Sequence, residues 1–468
     1  MAQLQKRRSH EIDMCSPPLL PKILAFALPL AASGVLQLLF NAADIVVVGR
    51  WAGDNALAAV GSNTALINLL INLFIGMSVG ANILAARFVG AQNHDAVRST
   101  VHTAMLLALL SGLLLAVVGF LAAKPLLQLM QVPPAILPLS TLYLRLYFLG
   151  MPATMVYNFG AALLRSIGDT RRPLLFLFLA GVINVGLNLI FVIVFSMSVA
   201  GVALATIISQ CLSAILVVRC LCREQSDIHL DLRALRLDLL RLKQIASIGI
   251  PSGLQSTAFA LSNVIIQSSI NGFGEIVISG NTAAANIESF VFAAFNAFYQ
   301  ANVAFTSQNY GAGRWEHIRP IALRCVACSA TTALVLGAGA YLLGESLLGL
   351  YTRSDEVIAA GMIRLALVCL PYILGGLMDS IVGSVRGIGY SVLPMVVTLL
   401  GACGLRIVIL ATVFQIPRFH TIETIYLSYP ITWAVTFLAH LVCLSIVLRR
   451  LRRRSSSWQH YHMTKQTL

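Results

Sequence analysis

Uncharged stretches long enough to cross about 30 Å of hydrocarbon as a helix recur along the whole of this chain. Between Lys22 and Arg50 the only charge is Asp44; Asn55 to Ala86 carries none, and neither does Ser99 to Ala123. The neutral tract from Pro173 to Val218 holds two spans, broken at Ser196-Met197-Ser198. Continued to the end, the pattern predicts an all-α membrane protein with twelve transmembrane helices. Composition agrees: 58% of the residues are hydrophobic and 11% charged, against about 45–50% and about 25% in soluble domains.

The position of the basic residues orients those helices, because cytoplasmic loops collect Lys and Arg. Of the 32 Lys and Arg, 25 fall on the side that holds both termini, four on the other side, and three (Arg145, Arg364 and Arg406) inside spans. Both termini are therefore expected in the cytoplasm. The net charge of +14 reads as a topology signal facing anionic lipid, with nucleic acid not required as a partner. Lys6, Arg7 and Arg8 precede no cleavage pattern, so the start reads as a retained tail. The Arg449 to Arg454 cluster reads as a stop-transfer and lipid-contact signal.

Slid against itself by about 221 residues, the sequence matches at its punctuation. Phe88-Val89-Gly90-Ala91 returns as Asn309-Tyr310-Gly311-Ala312, Pro29 as Pro251, Asn41 as Asn263, and Arg165, Gly168 and Pro173 as Arg386, Gly389 and Pro394. Two six-helix lobes are predicted. Six is even, so both lobes start on one side, and their pseudo-two-fold axis lies along the membrane normal. The expected divisions are a tail over 1–21, a lobe over 22–220, a basic linker over 221–243, a second lobe over 244–448 and a basic tail over 449–468. Such paired lobes suit alternating access.

Chemistry other than transport finds little support. The chain has no selectivity-filter sequence, no H-E-x-x-H and no G-x-S-x-G. Cys325-Val326-Ala327-Cys328 is the only CxxC and lacks a second ligand pair. No enzyme, metal site or bound cofactor is expected.

Leu28-Pro29-Leu30, Asn41-Ala42-Ala43-Asp44, Ala58-Ala59-Val60-Gly61 and Gly90-Ala91-Gln92 resemble the opening of the multidrug and toxic compound extrusion (MATE) family. Gly249-Ile250-Pro251-Ser252-Gly253 and Gln308-Asn309-Tyr310-Gly311-Ala312-Gly313 extend the resemblance into the second half, so that it covers roughly Pro21 to Leu448. The resemblance implies a plasma-membrane exporter, bacterial and monomeric, that exchanges organic cations or other amphiphiles for H+ or Na+. The wider superfamily offers lipid-linked oligosaccharide flippases as the alternative.

Only Asp44, Glu288 and Asp379 are acidic inside predicted spans. A bare carboxylate in hydrocarbon costs at least ~2.5 kcal/mol, so each should face a cavity, a partner or water. Asp44 matches the family's first-helix Asp. Asn184 and Asn188 share a helix face; the family often has Asn then Asp at that spacing, so Asn188 departs from it. That departure removes one formal charge from any sodium site and favours proton coupling. Asp44, Asn41, Asn184 and Asn188 are thus the expected coupling group. Asp379 is similar to a tenth-helix Asp of some members, but the seventh-helix Glu that accompanies it there is absent, leaving Gln255, Ser256 and Asn263. Glu288, with Phe292, Asn296 and Gln300 on roughly one face, reads as a polar stripe for a lipophilic cation. Glu288, Asp379, Gln255, Asn296 and Gln300 are therefore the expected substrate contacts. Arg145 and Arg364 are expected to snorkel to the outer interface. Arg406 is available to pair with Asp379 or Glu288. Gly76-Met77-Ser78-Val79-Gly80 is expected to serve helix packing alone.

Overall fold

The computed structural model describes residues 11–466, with side chains described through Leu451 apart from Ala65. Lys6, Arg7 and Arg8, and the side chains of Arg452 to Arg454, lie outside the described residues. Those described form helices and loops without a strand. In hydrocarbon every backbone N–H and C=O must be satisfied within the segment, which a helix does alone.

The first six spans are α1 (Leu19–Trp51), α2 (Asp54–Gly90), α3 (His94–Leu129), α4 (Leu137–Leu149 and Met151–Ser166), α5 (Arg171–Leu189, continuing through a π-turn at Ile190–Val194) and α6 (Ser198–Arg223). The second six are α7 (Leu239–Asn271), α8 (Glu275–Gly311), α9 (Ile318–Leu342), α10 (Asp355–Arg364, a π-turn at Leu365–Cys369, then Tyr372–Ile388), α11 (Val392–Thr398, a π-turn at Leu399–Gly404, then Leu405–Ala411) and α12 (Ile422–Gln466).

Eight of these, among the described residues, are long and apolar enough to cross a membrane by themselves, and α10 makes a ninth although it bends by 41°. The other three are α4, broken at Gly150 ahead of Pro152, and α7 and α8, whose Gln, Ser and Asn content lowers their hydropathy. A broken or polar span is tolerated where protein packs around it.

The duplication is written into the backbone. Helices α1 and α7 both have 33 residues, and α2 and α8 both have 37. Left-handed residues recur at the same spacing: Gly53 (φ 86°) with Gly274 (φ 90°), Gly168 (φ 88°) with Gly389 (φ 110°), and Gln92 (φ 52°) with Gly313 (φ 70°). Glycine reaches these angles without steric cost, and of the six residues Gln92 alone bears a side chain.

By internal packing, residues 11–13 with 32–260 form one unit and residues 14–31 with 261–466 another. Within the first unit, α2 meets the start of α7 through two glycine pairs. A Cβ on Gly76 would stand 2.2 Å from the Gly253 nitrogen, and one on Gly80 2.5 Å from the Ile245 carbonyl oxygen. Small residues here let two backbones touch. The linker docks on the same unit: Ile228 and Leu230 are buried, the Asp231 amide donates to His102 Nε2 at 3.2 Å, and Ser99 donates to Asp238 at 2.7 Å. In the second unit Asn309 Nδ2 donates to the Met14 carbonyl at 2.8 Å. Outward faces are apolar, as on α3, where Leu114, Val117 and Leu121 are exposed while Ala104, Ala108 and Gly112 are buried. That inversion suits a surface solvated by lipid.

Candidate functional site

Asp44 is placed by packing one turn earlier on α1 and two turns before Asn188 on α5. Gly181 of α5 has no side chain to hold off Phe40 of α1, and a Cβ there would lie 1.8 Å from the Phe40 ring. With α1 seated so closely, Asp44 comes opposite Asn188. Asn188 Nδ2 donates to Asp44 Oδ1 and lies 3.3 Å from Asn184 Oδ1, to which it also donates. Asn184 donates in turn to Thr206 Oγ1 of α6 at 3.5 Å, and Thr206 donates to the Val202 carbonyl at 2.9 Å. The result is a polar thread from α1 through α5 to α6. Asn188 Oδ1 is buried and accepts nothing. The π-turn Ile190–Val194 begins two residues after Asn188, and such insertions frequently accompany functional sites.

Three of the four expected coupling residues therefore meet. Asn41 does not: its side chain is exposed and takes no part in the thread. Thr206 was not anticipated, since a threonine in an apolar span usually returns its hydroxyl to its own helix. Tyr143 and Tyr147 of α4 were missed too; both phenols lie within reach of the Asp44 charge. Their i, i+4 spacing inside a span was the available signal.

The second unit departs from expectation. Glu288 of α8 is not an open carboxylate: Arg364 of α10 grips it with Nε to Oε1 and Nη2 to Oε2, both 2.8 Å. The two residues are 3% and 7% exposed, so Arg364 is no snorkelling anchor. Its other nitrogen donates to Asn281 Oδ1 at 2.6 Å, which also accepts from Tyr426 at 3.3 Å. At the equivalent place in the first unit, Arg145 remains half-exposed and bonds the Phe120 carbonyl at 3.3 Å. The physical reason is the facing helix, which offers Glu288 in one half and Ile67 at the corresponding position of the other.

Arg406 likewise pairs with neither Asp379 nor Glu288. It donates to Thr432 at 3.1 Å and lies over the Tyr429 ring at 4.0 Å. Asp379 accepts no hydrogen bond among the described residues; the charge of Arg386 reaches it, and Arg386 itself donates to Tyr299 at 2.6 Å. Gln300 donates to Asn296 at 3.4 Å, one turn apart on α8. Gln255 is buried in the first unit, apart from the other four expected substrate contacts, which belong to the second.

The helical fold that carries these residues is shared with a known group of membrane proteins. The family model described as MatE matches residues 29–190 and again 251–412, once in each half. The chain belongs to the MatE family. It is 25% identical over 422 residues to the probable multidrug resistance protein YoeA of Bacillus subtilis, covering 88% of this chain and 90% of that one. It is 24% identical to the FAD transporter of Shewanella oneidensis, covering 64% of this chain and 67% of that one. Among solved structures, an outward-facing multidrug resistance MATE family transporter of the MOP superfamily superposes with a TM-score of 0.88 at 21% identity, covering 94% of this chain and 98% of that one. The twelve-helix, two-lobe fold is thereby established, and with it a membrane transporter of the MatE type.

Proposed function

We propose that this MatE-family chain is a secondary active exporter that trades an amphiphilic organic compound, typically cationic, for a proton by alternating access across a bacterial inner membrane. Asp44 carries the coupling. The supporting observation is the contrast between the intramembrane acids: Glu288 is clamped by a guanidinium, whereas Asp44 is held by an amide whose own oxygen has no donor.

An amide can answer to either charge state of its neighbour. With Asp44 ionised, Asn188 donates to it. Once Asp44 is protonated, a rotated Asn188 amide presents its oxygen to the new O–H. Protonation thus changes the thread without leaving an acid bare in hydrocarbon, and coupling needs only that the two lobe arrangements bind the proton with different affinity. One proton traded for one monovalent cation moves no net charge, so one pH unit supports about a tenfold gradient, ~1.4 kcal/mol.

Everted vesicles loaded with a fluorescent organic cation test the reading. An imposed proton gradient should drive uptake and an imposed sodium gradient should not. Asp44→Asn, expressed at the same level, should abolish the proton response; retained coupling would defeat the assignment. A second reading, export of an anionic amphiphile or flipping of an anionic lipid-linked headgroup, draws support from Arg364, Arg386 and Arg406, all buried in the second unit, and from the relative named as an FAD transporter.

A further inference from the structure

Charge is unbalanced in the second unit. Arg364 and Arg406 flank one ring, their guanidinium carbons 5.6 and 4.0 Å from the centroid of Tyr429. Glu288 satisfies Arg364 with a bidentate pair, and no carboxylate among the described residues forms an ion pair with Arg406. Arg406 is nonetheless 1% exposed, and its Nε is buried without an acceptor. A guanidinium stays charged wherever it is placed, and the face of an aromatic ring answers only part of that charge. A buried ion without a counter-ion is destabilising unless something supplies one.

The local backbone is built to hold the side chain there. The π-turn Leu399–Gly404 ends two residues before Arg406. It seats against α12 through Gly401, where a Cβ would stand 2.3 Å from Thr436 Oγ1. Arg406 reaches Thr432 one turn earlier on that same helix.

An aromatic row leads to the same place. Phe292 meets Phe295 at 5.3 Å, Phe295 meets Tyr372 at 5.4 Å, Tyr372 meets Trp433 at 5.1 Å, and Trp433 meets Tyr429 at 5.7 Å. Three helices, α8, α10 and α12, contribute to it. Phe292, at the far end, is 43% exposed, and Tyr429, at the near end, covers the Arg406 guanidinium.

From this geometry we propose that Arg406 is an anion subsite, which takes a carboxylate or phosphate group of an exported aromatic amphiphile whose body lies along the row from Phe292 to Tyr429. Rotation of the Tyr429 ring admits the anion, which then accepts from the free Nε of Arg406. The subsite refines the substrate class of the exporter proposed above and rests on that reading: delocalised aromatic cations that also carry an acid are preferred over their esters.

A rhodamine free acid and its methyl ester form a matched pair, since they share one ring system and differ in the acid alone. Fluorescence polarisation with the full-length protein in phosphatidylcholine nanodiscs should show the acid binding about tenfold or more tighter than the ester, as expected for a charge-assisted hydrogen bond. Arg406→Gln should bring the ratio close to one, and Arg406→Lys should keep most of it. Equal affinities in the native protein overturn the subsite without reference to any variant, as does an acid preference that survives Arg406→Gln. Adding phosphatidylglycerol distinguishes the source of the anion. A preference that persists supports the exported compound, whereas one abolished by the lipid assigns Arg406 to a headgroup and overturns the proposal. Failure of the exporter reading looks different: neither dye would be driven by a proton gradient in vesicles, whatever their affinities.

Discussion

Asn188 of α5 donates its side-chain amide to the carboxylate of Asp44 on α1, and its own carbonyl oxygen is left without a donor. In the exchange proposed above, this pair would set how the first lobe responds to a proton, because the neighbour of the acid is a neutral amide.

Replacing that amide by a second acid should change the ion. In Asn188→Asp two carboxylates would face each other, and like charges at such range are relieved either by holding a proton or by recruiting a cation. We expect a sodium gradient to begin driving substrate uptake in everted vesicles. Uptake that remains indifferent to sodium would show that the count of carboxylates does not set ion choice here.

The Glu288–Arg364 pair should behave as structure. Glu288→Gln leaves a buried guanidinium unpaired, a loss of about 3–5 kcal/mol, and should lower the thermal midpoint of the purified protein markedly. Replacing both residues by Met should recover much of that loss, since a buried pair contributes little beyond what packing can supply. If Glu288→Gln leaves the thermal midpoint unchanged and raises the KM for an organic cation, the acid contacts substrate after all.

Gly76→Ala should be poorly tolerated. Its new methyl would stand 2.2 Å from the backbone nitrogen of Gly253, and overpacking of this kind costs about 1–3 kcal/mol. The same change at Gly61, where a Cβ meets nothing within 4 Å, should leave stability unaltered. Matching midpoints for the two variants would remove the close approach from any role in holding α2 to α7.

Span number, repeat and the Asp44 group were legible because they depend on residue type and spacing. Long neutral runs mark helices, glycines at a fixed interval mark turns, and Asn184 and Asn188 share a face by helical period alone. What stayed hidden depends on which side chains face one another across helices. Arg145 and Arg364 look alike in the sequence and differ only because Glu288 stands opposite one of them. Arg406 looked paired because two acids were available, yet one was already taken and the other lies elsewhere. Asn41 was placed with Asp44 by the Asn41-Ala42-Ala43-Asp44 motif, and its i, i+3 spacing keeps it near that face, yet its side chain is exposed while Asp44 meets Asn188.

The paired left-handed turns at Gly53 and Gly274, and at Gly168 and Gly389, carry a consequence for how the two halves can be exchanged. A chain made of the first half twice over would inherit these paired corners but not the π-turns within α10 and α11. It would also carry two Asp44–Asn188 pairs and no counterpart of Arg406, since Val185 stands at the corresponding position. Such a chimaera should insert and fold as a pair of bundles while losing its division of labour, with both halves answering to protons and neither holding the charge that Arg406 brings.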